Sequence, residues 1–272
     1  DIIMISLSDL RKFKSEGRKF SCLTCYDASM AKAMEIAEVD TILIGDSLGM
    51  TIQGHDSTLP VTVADMAYHT AAVRRANQHA FILTDLPFMS YATLNDALQS
   101  ARTVMQAGAQ MVKLEGGAWL AETVQVMTRN GIPVCVHLGL TPQSVNVFGG
   151  YKLQARNRAA ADQLLADCKA VVEAGAALLL LECVPAQLGK EVAELFPEIP
   201  VIGIGAGVDT DGQVLVVQDM LGLNFGHTAK FVRNFMKEQL GANAILDAFK
   251  AYHAAVLDSS FPAPEHTFQV EL

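Results

Sequence analysis

A chain of 272 residues, 51 % hydrophobic and 18 % charged, holds enough apolar material for a sizeable core and excludes a disordered protein. A net charge of −9, with no block of Lys or Arg, argues against a nucleic-acid partner and for a small-molecule one. Every apolar run is broken by Gly, Pro or charge well short of the roughly 20 residues a membrane span requires, and the opening "DIIMISLSDLRKFK" lacks a signal-peptide layout, so a cytoplasmic protein is expected.

Asp1 to Met4 are set aside as a processed or added end. "SLSDLRKFKSEG" (6–17) predicts a helix ahead of the first strand, with Ser6 as N-cap and Asp9 three residues on. Short apolar runs then recur and read as buried strands: "FSCLTCYD" (20–27), "TILIGDS" (41–47), "FILTDLP" (81–87), "MVKLEGG" (111–117), "PVCVHLG" (133–139), "ALLLLECV" (177–184) and "PVIGIGAG" (200–207). Amphipathic stretches lie between most of them, at 28–39, 63–76, 93–108, 118–131 and 159–175, and several stop at glycine: Gly108, Gly131 and Gly175. Such alternation predicts a parallel sheet covered on both faces. An eighth strand is expected near "LGLNFGHTAKFV" (221–232), and the tail "SFPAPEHTF" (260–268) is Pro-rich and read as extended.

Eight strands in this length favour a closed (β/α)8 barrel over an open doubly wound sheet. A dinucleotide fold needs its glycine fingerprint after the first strand, whereas here "GIGAG" follows the seventh. No linker or repeat interrupts the chain, so a single barrel domain over 1–272 with an extra N-terminal helix is predicted. The five cysteines lie in apolar segments and read as reduced thiols. Cys22 and Cys25 form a C-x-x-C, but on a strand they face opposite sides and read as packed side chains.

In a parallel barrel the C-terminal strand ends ring one mouth, and active sites lie there. Asp27, Asp46, Ser47, Asp85, Lys113, Glu115, His137 and Glu182 all fall at those ends. Asp27 also reads as a helix cap. Asp46, Asp85 and Glu115 come from three adjacent strands, with only Lys113 to neutralise them. Carboxylates so packed repel one another, and a hard divalent cation with oxygen ligands, Mg2+, resolves this; no His or Cys spacing suggests zinc. Glu182 in "LLLLECVP" has apolar neighbours that raise its pKa, which suits a general base. Together these point to enolate chemistry on a 2-oxo acid: the base removes the proton beside a carbonyl that the metal polarises. Lys113 pairs with the substrate carboxylate in this scheme, and a Schiff base on Lys113 is the rival. "GLTPQSVNVFGGYK" (139–152) is a candidate lid or carrier contact, since long loops in compact domains are usually functional.

"GDSLGMTIQGHDSTLPVTVADMAYHTAAVRRA" (45–76), "LTDLPFMSY" (83–91), "MVKLEGG" (111–117), "PVCVHLGLTPQSVNVFGGYKLQAR" (133–156), "LECVP" (181–185) and "PVIGIGAGVDTDGQVLV" (200–216) closely resemble the signatures of the ketopantoate hydroxymethyltransferase family. The resemblance runs from about residue 6 to 268 and is looser around "HTAKFVRNFM". It implies a Mg2+-dependent TIM barrel of the phosphoenolpyruvate/pyruvate type. It also implies transfer of a one-carbon unit from 5,10-methylenetetrahydrofolate to 2-oxoisovalerate, giving 2-dehydropantoate and tetrahydrofolate, the first committed step towards pantothenate and coenzyme A. By this resemblance Asp46, Asp85 and Glu115 are metal-site acids, Asp46 and Asp85 also lying against substrate. Ser47, Lys113 and His137 contact substrate, Glu182 is the base, and the protein assembles as a homo-oligomer, a decamer. A lyase or mutase of the same superfamily shares the metal logic but carries a "KKCGH" loop absent here, and a non-enzymatic barrel would have lost rim charges that this sequence keeps.

Overall fold

The computed structural model describes residues 3–272; Asp1 and Ile2, part of the end set aside above, lie outside the described residues. Helix α1 (Leu7–Ser15) comes first. Ser6 caps it as predicted: Asp9 N donates to Ser6 Oγ at 3.2 Å and Ser6 N donates back to Asp9 Oδ2 at 2.8 Å. The strands are β1 (Phe20–Thr24), β2 (Thr41–Ile44), β3 (Phe81–Asp85), β4 (Met111–Glu115), β5 (Val134–Gly139), β6 (Leu178–Glu182), β7 (Val201–Ile204) and β8 (Gly212–Leu215). They close in sequence order into a parallel barrel, β8 pairing with β1. The remaining helices are α2 (Ala28–Ile36), α3 (Leu48–Thr51), α4 (Val63–Ala76), α5 (Leu94–Gln106), α6 (Ala121–Arg129), α7 (Val145–Phe148), α8 (Arg158–Ala174), α9 (Ala186–Leu195), α10 (Val217–Met220) and α11 (Ala244–Leu257). The strands are buried almost throughout because helices cover their outer faces and side chains fill the interior. All five cysteines are buried and free, Cys25 lying just past the end of β1.

The eighth strand is not at 221–232. It is the short "GQVL" of β8, reached from β7 through residues 205–211 with no intervening helix. The stretch predicted as strand is irregular and folds over the β7–β8 turn instead: Gly205 has φ +64°, and a Cβ there would stand 2.7 Å from the Phe231 ring. The tail is not extended throughout but includes a 3-10 turn, Pro264–His266. It runs back along α11, Phe261 packing on Tyr252 with ring centroids 5.9 Å apart, and reaches the first residue of α9, where Ala186 N donates to Phe268 O. It thus lies where an outer helix between β7 and β8 would otherwise be.

The lower face of the barrel carries paired charges, Arg18 with Asp40 at 3.0 Å and Lys14 with Asp211 at 2.9 Å, which belong to stability in this architecture. At the upper face Gly139 closes β5 with φ +88°, and a Cβ there would lie 2.3 Å from the main-chain oxygen of Glu182. Gly139→Ala is therefore expected to destabilise the protein by about 1–3 kcal/mol, measured as a shifted urea midpoint; an unchanged midpoint would show that the β5–β6 ends can relax.

Candidate active site

Each predicted rim residue except Asp27 lies in or beside one cluster at the C-terminal strand ends. Asp27 takes its alternative role: it is exposed, and Oδ1 caps α2 by accepting from Met30 N at 2.8 Å. Strand register brings the others together, with Asp85 beside Lys113, Glu115 beside His137, and Gly139 beside Glu182. Asp46, Asp85, Lys113, Glu115 and His137 are all buried, and Glu182 keeps 16 % of its side chain exposed at the rim.

Lys113 is caged. Its Nζ lies 3.1 Å from Asp85 Oδ1 and 2.8 Å from His137 Nδ1. Burial opposes its charge, but Asp85, Glu115 and Asp46 outweigh burial and push its pKa up. His137 is driven well below the usual histidine range by burial and by Lys113. A neutral ring accepting from Lys113 on Nδ1 carries its proton on Nε2, and Nε2 lies 2.9 Å from Glu182 Oε2, though not aligned as a directed hydrogen bond. Burial raises the Glu182 carboxyl to about 8. A lysine held as a cation is the opposite of a Schiff-base nucleophile, which must be neutral to attack.

Each remaining carboxylate has one oxygen in a directed hydrogen bond. Asp85 Oδ2 accepts from Asp46 N at 2.9 Å, Asp46 Oδ2 from Gln143 Nε2 at 2.9 Å, and Glu115 Oε2 from Gln143 N at 2.9 Å. Burial raises Asp46 well above the ordinary carboxylate range and Glu115 to about 8, and their neighbouring acids add to this. Asp85 Oδ1 is buried and touches Lys113 without a directed hydrogen bond. Among the described residues no three Asp, Glu, His or Cys converge closely enough to chelate an ion unaided. The set nevertheless fits Mg2+, which takes one or two carboxylates and completes its shell with water and substrate oxygens. Ser47 stands beside this group with its Oγ 2.7 Å from Tyr26 OH.

The sequence singled out the loop 139–152 that holds Gln143 as a lid or carrier contact, but named neither Gln143 nor Tyr91 as part of the carboxylate cluster. Gln143 is buried and joins Asp46, Glu115 and Leu86 O, while its Oε1 accepts from Tyr91 OH. Neither residue is charged near neutrality, so a search of strand ends for ionisable groups passes over both. A cleft of about 600 Å3, lined by Lys230, Arg233, Lys237 and His266 among others, lies outside the carboxylate cluster.

Residues 4–264 match the model of the family described as ketopantoate hydroxymethyltransferase. A 3-methyl-2-oxobutanoate hydroxymethyltransferase of Acinetobacter baumannii (strain AYE) is 86 % identical over 99 % of this chain and all of its own. Its namesakes in Acinetobacter baylyi and Psychrobacter sp. (strain PRwf-1) are 82 % and 61 % identical, over 99 % and 97 % of this chain and all of theirs. Among solved structures, a phosphoenolpyruvate phosphomutase from Streptomyces platensis subsp. rosaceus superposes with TM-score 0.61 at 13 % identity, covering 95 % of this chain and 100 % of that one. A 2,3-dimethylmalate lyase of the PEP mutase/isocitrate lyase superfamily gives 0.58 at 13 %, covering 95 % and 99 %. These structures share the barrel; at such identity they say nothing of the reaction.

Proposed function

The chain belongs to the ketopantoate hydroxymethyltransferase family, and from that premise we propose that it adds a hydroxymethyl group to 3-methyl-2-oxobutanoate. The carbon comes from 5,10-methylenetetrahydrofolate, with 2-dehydropantoate and tetrahydrofolate as products, at the entry to pantothenate and coenzyme A synthesis. The observation that carries this reading is the pairing of Glu182, held up to about 8, with a neutral His137 and a charged Lys113 in one cluster.

In the proposed mechanism Lys113 binds the substrate carboxylate, for which a permanently charged, caged ammonium is suited. Ser47 and His137 add polar contacts. Glu182 takes the C3 proton on a carboxylate oxygen, with His137 Nε2 2.9 Å away. Water frees the carrier's methylene carbon from both nitrogens at the formaldehyde level, its two protons ending on those nitrogens of tetrahydrofolate and its oxygen on the carbon. C3 bonds to that carbon, and the resulting alkoxide takes the proton held by Glu182, so one water is consumed overall. Asp46, Asp85 and Glu115 are the residues to hold Mg2+. Bound there, the ion supplies Lewis-acid polarisation of the substrate's oxo group.

Homo-oligomeric assembly, as a decamer, belongs to the same proposal and accords with exposed apolar side chains such as Phe225 and Leu240. So does a cytoplasmic setting: among the described residues no helix is long and apolar enough to cross a membrane.

The test is proton NMR of 3-methyl-2-oxobutanoate with the protein in D2O, with and without Mg2+ and without folate. Loss of the C3 proton signal only when Mg2+ is present is expected. If no exchange occurs even after tetrahydrofolate is added, this barrel acts on a different acid.

A further inference from the structure

We propose that Gln143 is a positioning residue that presets the carboxylate cluster for its cation. The proposal rests on the divalent-cation reading above. Gln143 is 7 % exposed and lies in the 3-10 turn Pro142–Ser144. Its Nε2 donates to Asp46 Oδ2 and to Leu86 O, both at 2.9 Å, and its main-chain N donates to Glu115 Oε2 at 2.9 Å. Its remaining polar atom, Oε1, accepts from Tyr91 OH. That hydroxyl in turn lies 3.2 Å from both the main-chain N and O of Glu115.

The amide is therefore committed at every side-chain polar atom, and two acids from neighbouring parts of the ring are tied to one residue. Each acid is held by a single oxygen; no hydrogen bond among the described residues reaches Asp46 Oδ1 or Glu115 Oε1. The chemistry of an amide matters here. A Lys or Arg would supply donors but also a charge that competes with the cation, while a carboxylate would repel Asp46. A neutral donor orients Asp46 and leaves its charge for the ion, while the main-chain N that holds Glu115 is set in place as the buried side chain fixes the turn. Tyr91 fixes which end of the amide faces Asp46, because its hydroxyl donates to Oε1 and so directs Nε2 the other way.

Outer contacts of this kind change metal affinity about 10–100-fold when removed. Mn2+ serves as the probe, its free concentration followed by EPR in the absence of substrate, for wild type, Gln143→Met and Tyr91→Phe. Gln143→Met is expected to bind Mn2+ about 10–100-fold more weakly than wild type, and Tyr91→Phe more weakly by a smaller factor. Thermal melts with and without Mn2+ accompany the titration. A merely structural role lowers the midpoint and leaves Mn2+ affinity alone. Wild type that binds no Mn2+ overturns the cation reading itself. Wild type that binds, with both variants equal to it, overturns the positioning role alone. If Gln143→Met does not fold, Tyr91→Phe decides between weaker and unchanged binding.

Discussion

Glu182→Gln is expected to bind 3-methyl-2-oxobutanoate normally and to lose exchange of its C3 proton with D2O. The substitution preserves shape and the contact with His137 while removing the only function proposed for the side chain, acceptance of a proton. General-base catalysis is worth roughly 10²–10⁴-fold, which is the expected loss in exchange rate. The sign of the pH dependence follows from the same carboxyl. Burial raises it to about 8, so it is protonated and inactive as a base below that value. Exchange by the wild type should rise with pH through that region, and a cation in the cluster should draw the rise to lower pH. The residual rate of Glu182→Gln should show no such limb. Exchange retained at wild-type rate would mean that another group takes the proton.

Asp85→Ala is expected to abolish Mg2+-dependent turnover and also to weaken the fold. Asp85 does two things in the structure: Oδ2 accepts from Asp46 N, and Oδ1 faces the Lys113 ammonium at 3.1 Å. Removing it strips the nearest counter-charge from a buried lysine, at a cost on the order of 3–5 kcal/mol. Asp85→Asn separates the two effects. It keeps an acceptor for Asp46 N and fills the space, but removes the charge a divalent ion needs. Both variants should stay inactive when stripped with EDTA and resupplied with Mg2+, with the larger fall in thermal midpoint in Asp85→Ala. Near-normal activity in either one would remove Asp85 from the metal site.

Much of this could be read from residue order because the barrel's geometry is repetitive. A near-continuous apolar run that stops on an ionisable residue reports a C-terminal strand end, and Asp85, Glu115 and Glu182 each close their strands in that way. The cap at Ser6 was legible for a local reason, since its hydrogen bonds join residues three apart. The eighth strand was not. "GQVL" is short, contains a glycine and a glutamine, and follows β7 without the helix that alternation leads one to expect. It is buried through pairing with β1 and β7, partners distant or invisible in a local window. Gln143 and Tyr91 escaped for a different reason: their importance lies in whom they touch, across 97 residues of sequence in the case of Gln143 and Asp46.

The helix-less connection between β7 and β8 has a consequence for the order of folding. Six of the seven connections between consecutive strands can cover their own strands with a helix as the chain emerges. The last pair cannot, because the segment that shields it, residues 260–268, lies beyond all eight strands and beyond α11. During synthesis the outer face of β7 and β8 therefore stays uncovered until the tail has left the ribosome and bound against α9. Pairing of β8 with β1, across some 190 residues, is the most distant contact in the sheet, and contacts of such separation form slowly. A nascent chain stalled before residue 260 would present that uncovered face to its surroundings, and this is the stage at which chaperone dependence should be sought.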